Sequence, residues 1–446
     1  MNRELETSLD DLSPIQREAV DWQEGAALIL AGPGAGKTRV LTIRIARLLS
    51  ESAHRKFRIL ALTFTTKAAA EMRERAEILV PGLVEDRTFI GTFHAFCTQV
   101  LRQHGSHLDI RPDFGILGQR DEQEALLADA IENAIQAGKE FSPEDTQYLN
   151  LIKQLKSKLI VPEKALPKIR DPNALKVYQL YEDSLREANL MDFEGLILET
   201  CRLLSNMPAV AARIRQSYPY WMIDEFQDTT PAQYWLLYYL SAGEFKNMFV
   251  VADDDQIIYQ WAGASYRQIE KFRKEYKPEL IQLVENHRCP PEIVALANQL
   301  VANNTQRSPD KKPIVPGRDT PMNAISFRTF HTDEEEQQAI AEEIYRLGSG
   351  AWGKIAILGR TRTLLEPILA SLKSRGVNAV LAQRRDNFIS PQFVWWQACL
   401  DQALRPTNKR WFSMLVNSAN RITGLDLDPV LLIAEAEAGG RSFFEH

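Results

Sequence analysis

Residues 28–42 read LILAGPGAGKTRVLT. The run AALILA, 26–31, has the composition of a buried parallel strand. TRVLTIRIARLLS, which follows the glycines, places its apolar residues at helical spacing. Strand, glycine-rich loop, Lys-Thr and helix form the context of a phosphate-binding loop. Glycines let successive backbone N–H groups converge on a phosphate, and the helix N-terminus adds positive potential. This reading makes Gly32, Pro33, Gly34, Ala35, Gly36, Lys37, Thr38 and Arg39 a cradle for ATP. Lys37 then reaches the β- and γ-phosphates and Thr38 ligates Mg²⁺. Ala31 stands where the strict pattern has its first glycine, and a small residue there suffices.

A loop of this kind needs a second, acidic site. YPYWMIDEFQDTT, 218–230, supplies it, with Asp224 and Glu225 at the carboxyl end of a short apolar strand. Open α/β sheets place ligands at that end. Asp224 is assigned to Mg²⁺, and Glu225 to orienting and deprotonating the attacking water.

The 446 residues exceed one typical core and imply two to four domains. Hydrophobic content of 45% and charged content of 25% are globular values, and no window has the composition of a membrane span. MNRELETSLDDLSP carries no signal-peptide pattern. Cys97, Cys201, Cys289 and Cys399 are far apart with no CxxC spacing, which argues against zinc or a disulfide framework and fits a reducing cytoplasm. The net charge of −6 is not that of a wholly basic nucleic-acid binder, but binding needs only a local basic stripe.

The ordered motifs from about 10 to about 380 resemble superfamily 1 DNA helicases of the UvrD/Rep/PcrA group. LSPIQREAV is similar to the family's Q motif, AGPGAGKT to motif I, ALTFTTKAAAEMRER to Ia and FIGTFHAFC to Ib. NLMDFEGLI resembles a further DNA-contacting segment, IDEFQDTT motif II, VVADDDQIIYQWAGAS motif III and LVENHRCP motif IV.

The resemblance implies that Gln16 reads the adenine edge, Gln256 senses the γ-phosphate and Arg288 stabilises its developing charge. His287 occupies the place of an adenine-stacking Tyr. Thr63, Phe64, Thr65, Thr92, His94, Phe193, Tyr259 and Trp261 become contacts to single-stranded DNA, the aromatics by stacking. Taken alone, Phe64, His94, Tyr259 and Trp261 read equally as core residues, and Asp253-Asp254-Asp255 as a solvated turn. WAGA in place of the usual WRGA, and TFTTK in place of TFTNK, bear on coupling to DNA rather than on ATP binding.

The segments AALILA, RILALTF, YWMIDEF, NMFVVAD and LIQLVEN alternate with helical stretches. They predict an α/β fold: a RecA-like doubly wound parallel sheet over 1–110 and 191–279. Residues 111–190 form a helical insertion, whose Lys153, Lys156, Lys158, Lys164, Lys168 and Arg170 are either a solvated face or a nucleic-acid surface. A second RecA-like domain is expected to start over 280–380, with strands ISFRTFHT and KIAILGR, and its own helical insertion over 381–446.

No TxHxxKG-like motif V and no arginine-bearing motif VI are found before RSFFEH, so the second domain reads as incomplete. Three functions fit. The first is a partial form of an ATP-dependent DNA helicase, translocating 3′-to-5′ by resemblance and binding single strands and single/double-strand junctions. The second is a stand-alone DNA-dependent ATPase whose protein partner completes the site. The third is a DNA-binding module without turnover.

Overall fold

The structure is a computed structural model. It describes the chain apart from residues 1–2, 53–56, 169–170, 244–246, 261–262, 319–323, 382–390, 405, 407–408, 440–442 and 444–446. Trp261 and Arg170 therefore lie outside the described residues. Two compact units, 1–325 and 326–446, divide the chain.

Ten strands form among the described residues of the first unit: β1 (Ala27–Ala31), β2 (Ile59–Thr63), β3 (Thr88–Thr92), β4 (Gly115–Leu117), β5 (Leu190–Asp192), β6 (Tyr220–Ile223), β7 (Met248–Ala252), β8 (Glu279–Leu283), β9 (Glu285–Asn286) and β10 (Val315–Pro316). Six of them build one parallel sheet in the order β3-β2-β6-β7-β1-β8. β1, β2 and β7 are buried along their whole length, which is why they read as continuous apolar runs.

Alternate residues face two cores. Leu28, Leu30, Trp221, Ile223 and Val250 pack on one side of the sheet; Ala27, Ile29, Met222, Phe249 and Val251 pack on the other. β3 was not expected. Only Phe89 and Ile90 give it apolar bulk, and at the sheet edge it needs one partner, β2.

LIQLVEN, expected as a strand, supplies β8, which pairs with β1 in register Leu28↔Leu280 to Ala31↔Leu283 and covers its open edge; the compact unit that contains it runs to Ile325.

Between 118 and 189 lies the helical insertion. Its neck is the parallel ladder of β4 with β5, and its core gathers Leu127, Ile131, Ile152, Leu155, Val177, Tyr178 and Tyr181. The apolar periodicity of 121–140 becomes the helix Arg120–Gln136.

One member of the lysine run departs from both readings given for it. Lys156 is 1% exposed and bonds Asp192 at 2.8 Å and Glu182 at 2.6 Å. It is neither solvated nor available to nucleic acid; burial without a partner would be far more costly than this pairing. Lys158, Lys164 and Lys168 remain exposed.

In the second unit the helices Asp333–Leu347 and Arg362–Ser374 pack through Ala341, Ile344, Ile368 and Leu372. The expected strands at 325–332 and 354–360 form no ladder among the described residues. Residues 355–358 still alternate, Ile355 and Ile357 packing inward and Leu358 pointing out, so the side-chain period of a strand is present without its hydrogen-bonded neighbour.

Candidate active site and nucleic-acid interface

Every strand of the main sheet delivers candidate residues at its carboxyl end. The neighbours β6, β7, β1 and β8 lead into Asp224-Glu225, Asp253–Gln256, Gly32–Lys37 and Asn286–Arg288. β2 and β3, at the other side, lead into Thr63–Thr65 and Thr92–His94. Sheet order thus separates the predicted nucleotide residues from the predicted DNA residues.

The loop after β1 turns on Gly34 (φ +71°) and Gly36 (φ +85°), both left-handed, and Lys37 opens the helix Lys37–Glu51 with Thr38 second. A Cβ on Gly34 would meet Arg288 Cβ at 2.8 Å, and one on Gly36 would meet Gln16 Nε2 at 2.8 Å. Glycine is required here for conformation and for space. Lys37 Nζ stands 3.8 Å from Asp253 Oδ2 and 3.9 Å from Glu225 Oε2. Arg39 is exposed, with Asp11 at 3.9 Å.

Gln16 is placed beneath this loop. Its Nε2 donates to Ala35 O at 2.9 Å and its Oε1 accepts from Ser13 N at 3.2 Å, completing a capping box at the helix Pro14–Asp21. Buried Arg44 and Arg47 donate to Val20 O at the far end of that helix and hold it.

Asp224 is buried, and its carboxyl is pushed up to about 7, first by burial and then by the charge of Glu225, with Lys37 opposing. Asp228 is raised to about 7 by the same causes. Glu225 sits at φ +46°, ψ 47°, a left-handed conformation that a non-glycine residue adopts at a cost, and such strain gathers at functional sites. Gln227 joins the strand ends: its Nε2 donates to Glu225 Oε2 at 2.7 Å and its Oε1 accepts from Asp253 N at 2.9 Å.

The acidic run Asp253-Asp254-Asp255 is not a solvated turn. Asp253 and Asp254 are buried, and Lys311 reaches all three carboxylates. Gln256 follows with its N–H on Asp253 O at 3.0 Å, and it lines a cavity of about 170 Å³ with Gly32, Pro33, Leu300 and Ile314.

After β8, His287 N donates to Gly34 O at 3.0 Å. The His287 ring lies against Gly317, and Arg288 is exposed with its Cβ beside Gly34. Asn286, which sequence reasoning passed over, is fully engaged. Its Nδ2 donates to Pro33 O at 2.7 Å and its Oδ1 accepts from Arg288 N and Cys289 N.

The donor set fits Mg²⁺–ATP. Left-handed Gly34 and Gly36, with Ala35 between them, turn the loop into the head of the helix at Lys37, and Asp253 Oδ2 and Asp228 Oδ1 are buried oxygens without a hydrogen-bond partner beside Lys37 and Glu225.

On the other half of the edge, Phe64 lies half-buried with its ring 4.7 Å from that of Tyr259. His94 and Phe193 rings are 5.0 Å apart. Burial pushes the His94 imidazole down to about 4, so it is neutral at pH 7, and Phe193 is 41% exposed. Thr65 and Thr92 accept from Ala68 N and Ala95 N as helix caps. Thr63 is buried and donates to Thr65 O. The loop after β7 therefore runs from Gln256, beside Gly32, to Tyr259, against Phe64.

Parallel sheet order, glycine loop and paired acids at adjacent strand ends define a RecA-like P-loop fold. Residues 12–277 match the family model described as UvrD/REP helicase N-terminal domain, and residues 281–424 match the UvrD-like helicase C-terminal domain. The chain belongs to the UvrD/REP helicase family. It is 34% identical to the ATP-dependent DNA helicase PcrA of Bacillus subtilis, over 98% of this chain and 59% of that protein. The PcrA helicases of Staphylococcus aureus and Staphylococcus epidermidis are each 35% identical, over 79% and 78% of this chain and 48% and 47% of theirs. The chain spans about half the length of the curated relatives it matches. No described helix is long and apolar enough to cross a membrane.

Proposed function

We propose that the protein is an ATP-dependent DNA helicase and single-stranded DNA translocase, working with Mg²⁺ on single strands and single/double-strand junctions in the cytoplasm. The observation that carries this reading is the loop after β7. Within four residues it joins Gln256, at the glycine loop, to Tyr259, whose ring lies 4.7 Å from that of Phe64 on the DNA half of the sheet edge.

In this reading Lys37 and the loop N–H groups bind the phosphates, and Thr38 with Asp224 holds Mg²⁺. The metal polarises the phosphoryl oxygens when bound. Glu225, kept in place by Gln227, orients the attacking water and takes its proton. Gln256 senses the γ-phosphate, Arg288 neutralises charge there, and His287 stacks on the adenine. Gln16 supports the loop from below through Ala35 O and turns toward the base only by giving up that bond. Phe64, Thr65, Thr92, His94, Phe193 and Tyr259 line the path of the strand, buried Thr63 serves only to hold Thr65 through its carbonyl, and the family resemblance gives Trp261 a stacking role and makes the direction 3′-to-5′.

A second reading, in which a protein partner supplies or regulates part of the second domain, is favoured by one observation. Leu358 and Val380 are 94% and 88% exposed in segments that form no ladder among the described residues.

The test is phosphate release by this chain with and without single-stranded DNA, with Glu225→Gln as the blank. Release that rises with DNA and vanishes in the blank supports the first reading. Release that appears only when a C-terminal helicase half is added supports the second. Intact nucleotide and DNA binding without release in either case overturns both.

A further inference from the structure

The segment after the helix Pro291–Val301 folds back over the carboxyl end of β7. Lys311 Nζ lies 2.6 Å from Asp253 Oδ1, 2.6 Å from Asp254 Oδ1 and 2.8 Å from Asp255 Oδ2. Its side chain is 5% exposed. Neighbouring groups complete the shell: Arg307 reaches Asp255 at 3.0 Å, Ser308 N donates to Asp254 Oδ2 at 2.6 Å, and Asn304 Nδ2 donates to Asp255 Oδ1 at 3.2 Å. The segment is itself anchored, since Asn298 bonds Ile314 O at 2.8 Å and N at 3.1 Å, and β10 pairs with β9 next to Asn286.

Asp253 is therefore shared between two lysines. Oδ1 bonds Lys311, and Oδ2 accepts no hydrogen bond and faces Lys37 Nζ at 3.8 Å. Opposite charges in a dry site attract strongly. Without Lys311, three carboxylates would lie beside the phosphate-binding loop. Asp253 would take Lys37 as its counter-ion, and the nucleotide would lose its main point charge while meeting added repulsion.

We propose that Lys311 is a positioning residue of the nucleotide site, holding Asp253 by its far oxygen so that Lys37 stays free for phosphate. The inference rests on the reading of Gly32–Thr38 as an ATP site. It also makes the connector after Val301 part of that site.

The experiment titrates a fluorescent ATP analogue with Mg²⁺ into the full chain, and follows thermal unfolding of each variant. Lys311→Met is expected to bind at least tenfold more weakly, and Lys311→Arg within about threefold of wild type because the charge is kept. The deciding variant is Lys311→Met with Asp253→Asn. It removes the acid that faces Lys37, leaves Asp254 its Ser308 N–H and Asp255 its Arg307, and is expected to recover affinity to within about threefold of wild type. A purely structural Lys311 would move the melting midpoint alone. A folded Lys311→Met that binds like wild type overturns the inference, as does a folded double variant that binds no better than Lys37→Ala. Failure of the wild-type chain itself to bind the analogue overturns the ATP-site reading instead.

Discussion

Asn286 donates from Nδ2 to the carbonyl of Pro33 at 2.7 Å, joining positions 253 residues apart. Its Oδ1 takes two further N–H groups, from Arg288 and Cys289. One buried amide thus fixes the end of β8 to the phosphate-binding loop. Asn286→Ala leaves that carbonyl and two amides unpaired. We expect a loss of about 1–3 kcal/mol in stability, together with weaker nucleotide binding. Urea unfolding and an ATP-analogue titration check both. Unaltered nucleotide binding in a folded variant would show that the loop keeps its shape without this link.

Lys37 has only long ion pairs, at 3.8 and 3.9 Å, and stands at a helix N-terminus between left-handed loop glycines and two acids. Lys37→Ala should lower nucleotide affinity at least tenfold with little change in the melting midpoint. Equal affinity in variant and wild type would remove the nucleotide assignment.

Asp224 carries a pH prediction. Its folded-state value is about 7, against 3.8 for a free Asp side chain. Between these limits the folded chain keeps a proton that the unfolded chain has lost. Unfolding free energy therefore falls as pH rises through this window. The stabilisation from the neutral carboxyl is complete below 3.8 and is lost as pH passes 7. Asp224→Asn stays neutral throughout. In buffer free of metal and nucleotide its melting midpoint should exceed that of wild type by a few degrees at pH 8, and the gap should shrink steadily as pH falls and close only below the free-Asp value of 3.8. A gap that does not depend on pH would contradict the burial argument.

Among the described residues Lys156 is the one cation paired with Asp192, whose carboxylate also caps the helix Phe193–Asn206 through Gly195 N at 2.6 Å. Removing one partner of a buried pair leaves the other charge stranded, at about 3–5 kcal/mol. Lys156→Met is expected to lose stability on that scale, and Lys158→Met almost none. Denaturant midpoints compare the two directly.

Phe64 and Tyr259 face each other across 4.7 Å. If bases stack there, Phe64→Ala should weaken single-strand binding by about 1–3 kcal/mol at fixed salt. Phosphate release in the absence of DNA should be nearly unchanged. A loss of folding with no specific loss of DNA affinity would return Phe64 to the core.

Five strands and the glycine loop were legible in the sequence. β1, β2, β6, β7 and β8 are short apolar runs, and the left-handed turns fall on Gly34 and Gly36 just before Lys37, as the spacing required. These are local properties, carried by a few adjacent residues. Tertiary structure decided the rest, because it depends on partners distant in the chain. β3 is a strand because β2 offers it a ladder. Lys156 left the surface because Asp192, 36 residues away, gave it a counter-charge. The triplet Asp253–Asp255 became a buried site because Lys311, 58 residues from Asp253, folded back onto it. Composition and spacing record which charges a chain has, but which of them meet out of water is set only when the sheet has formed.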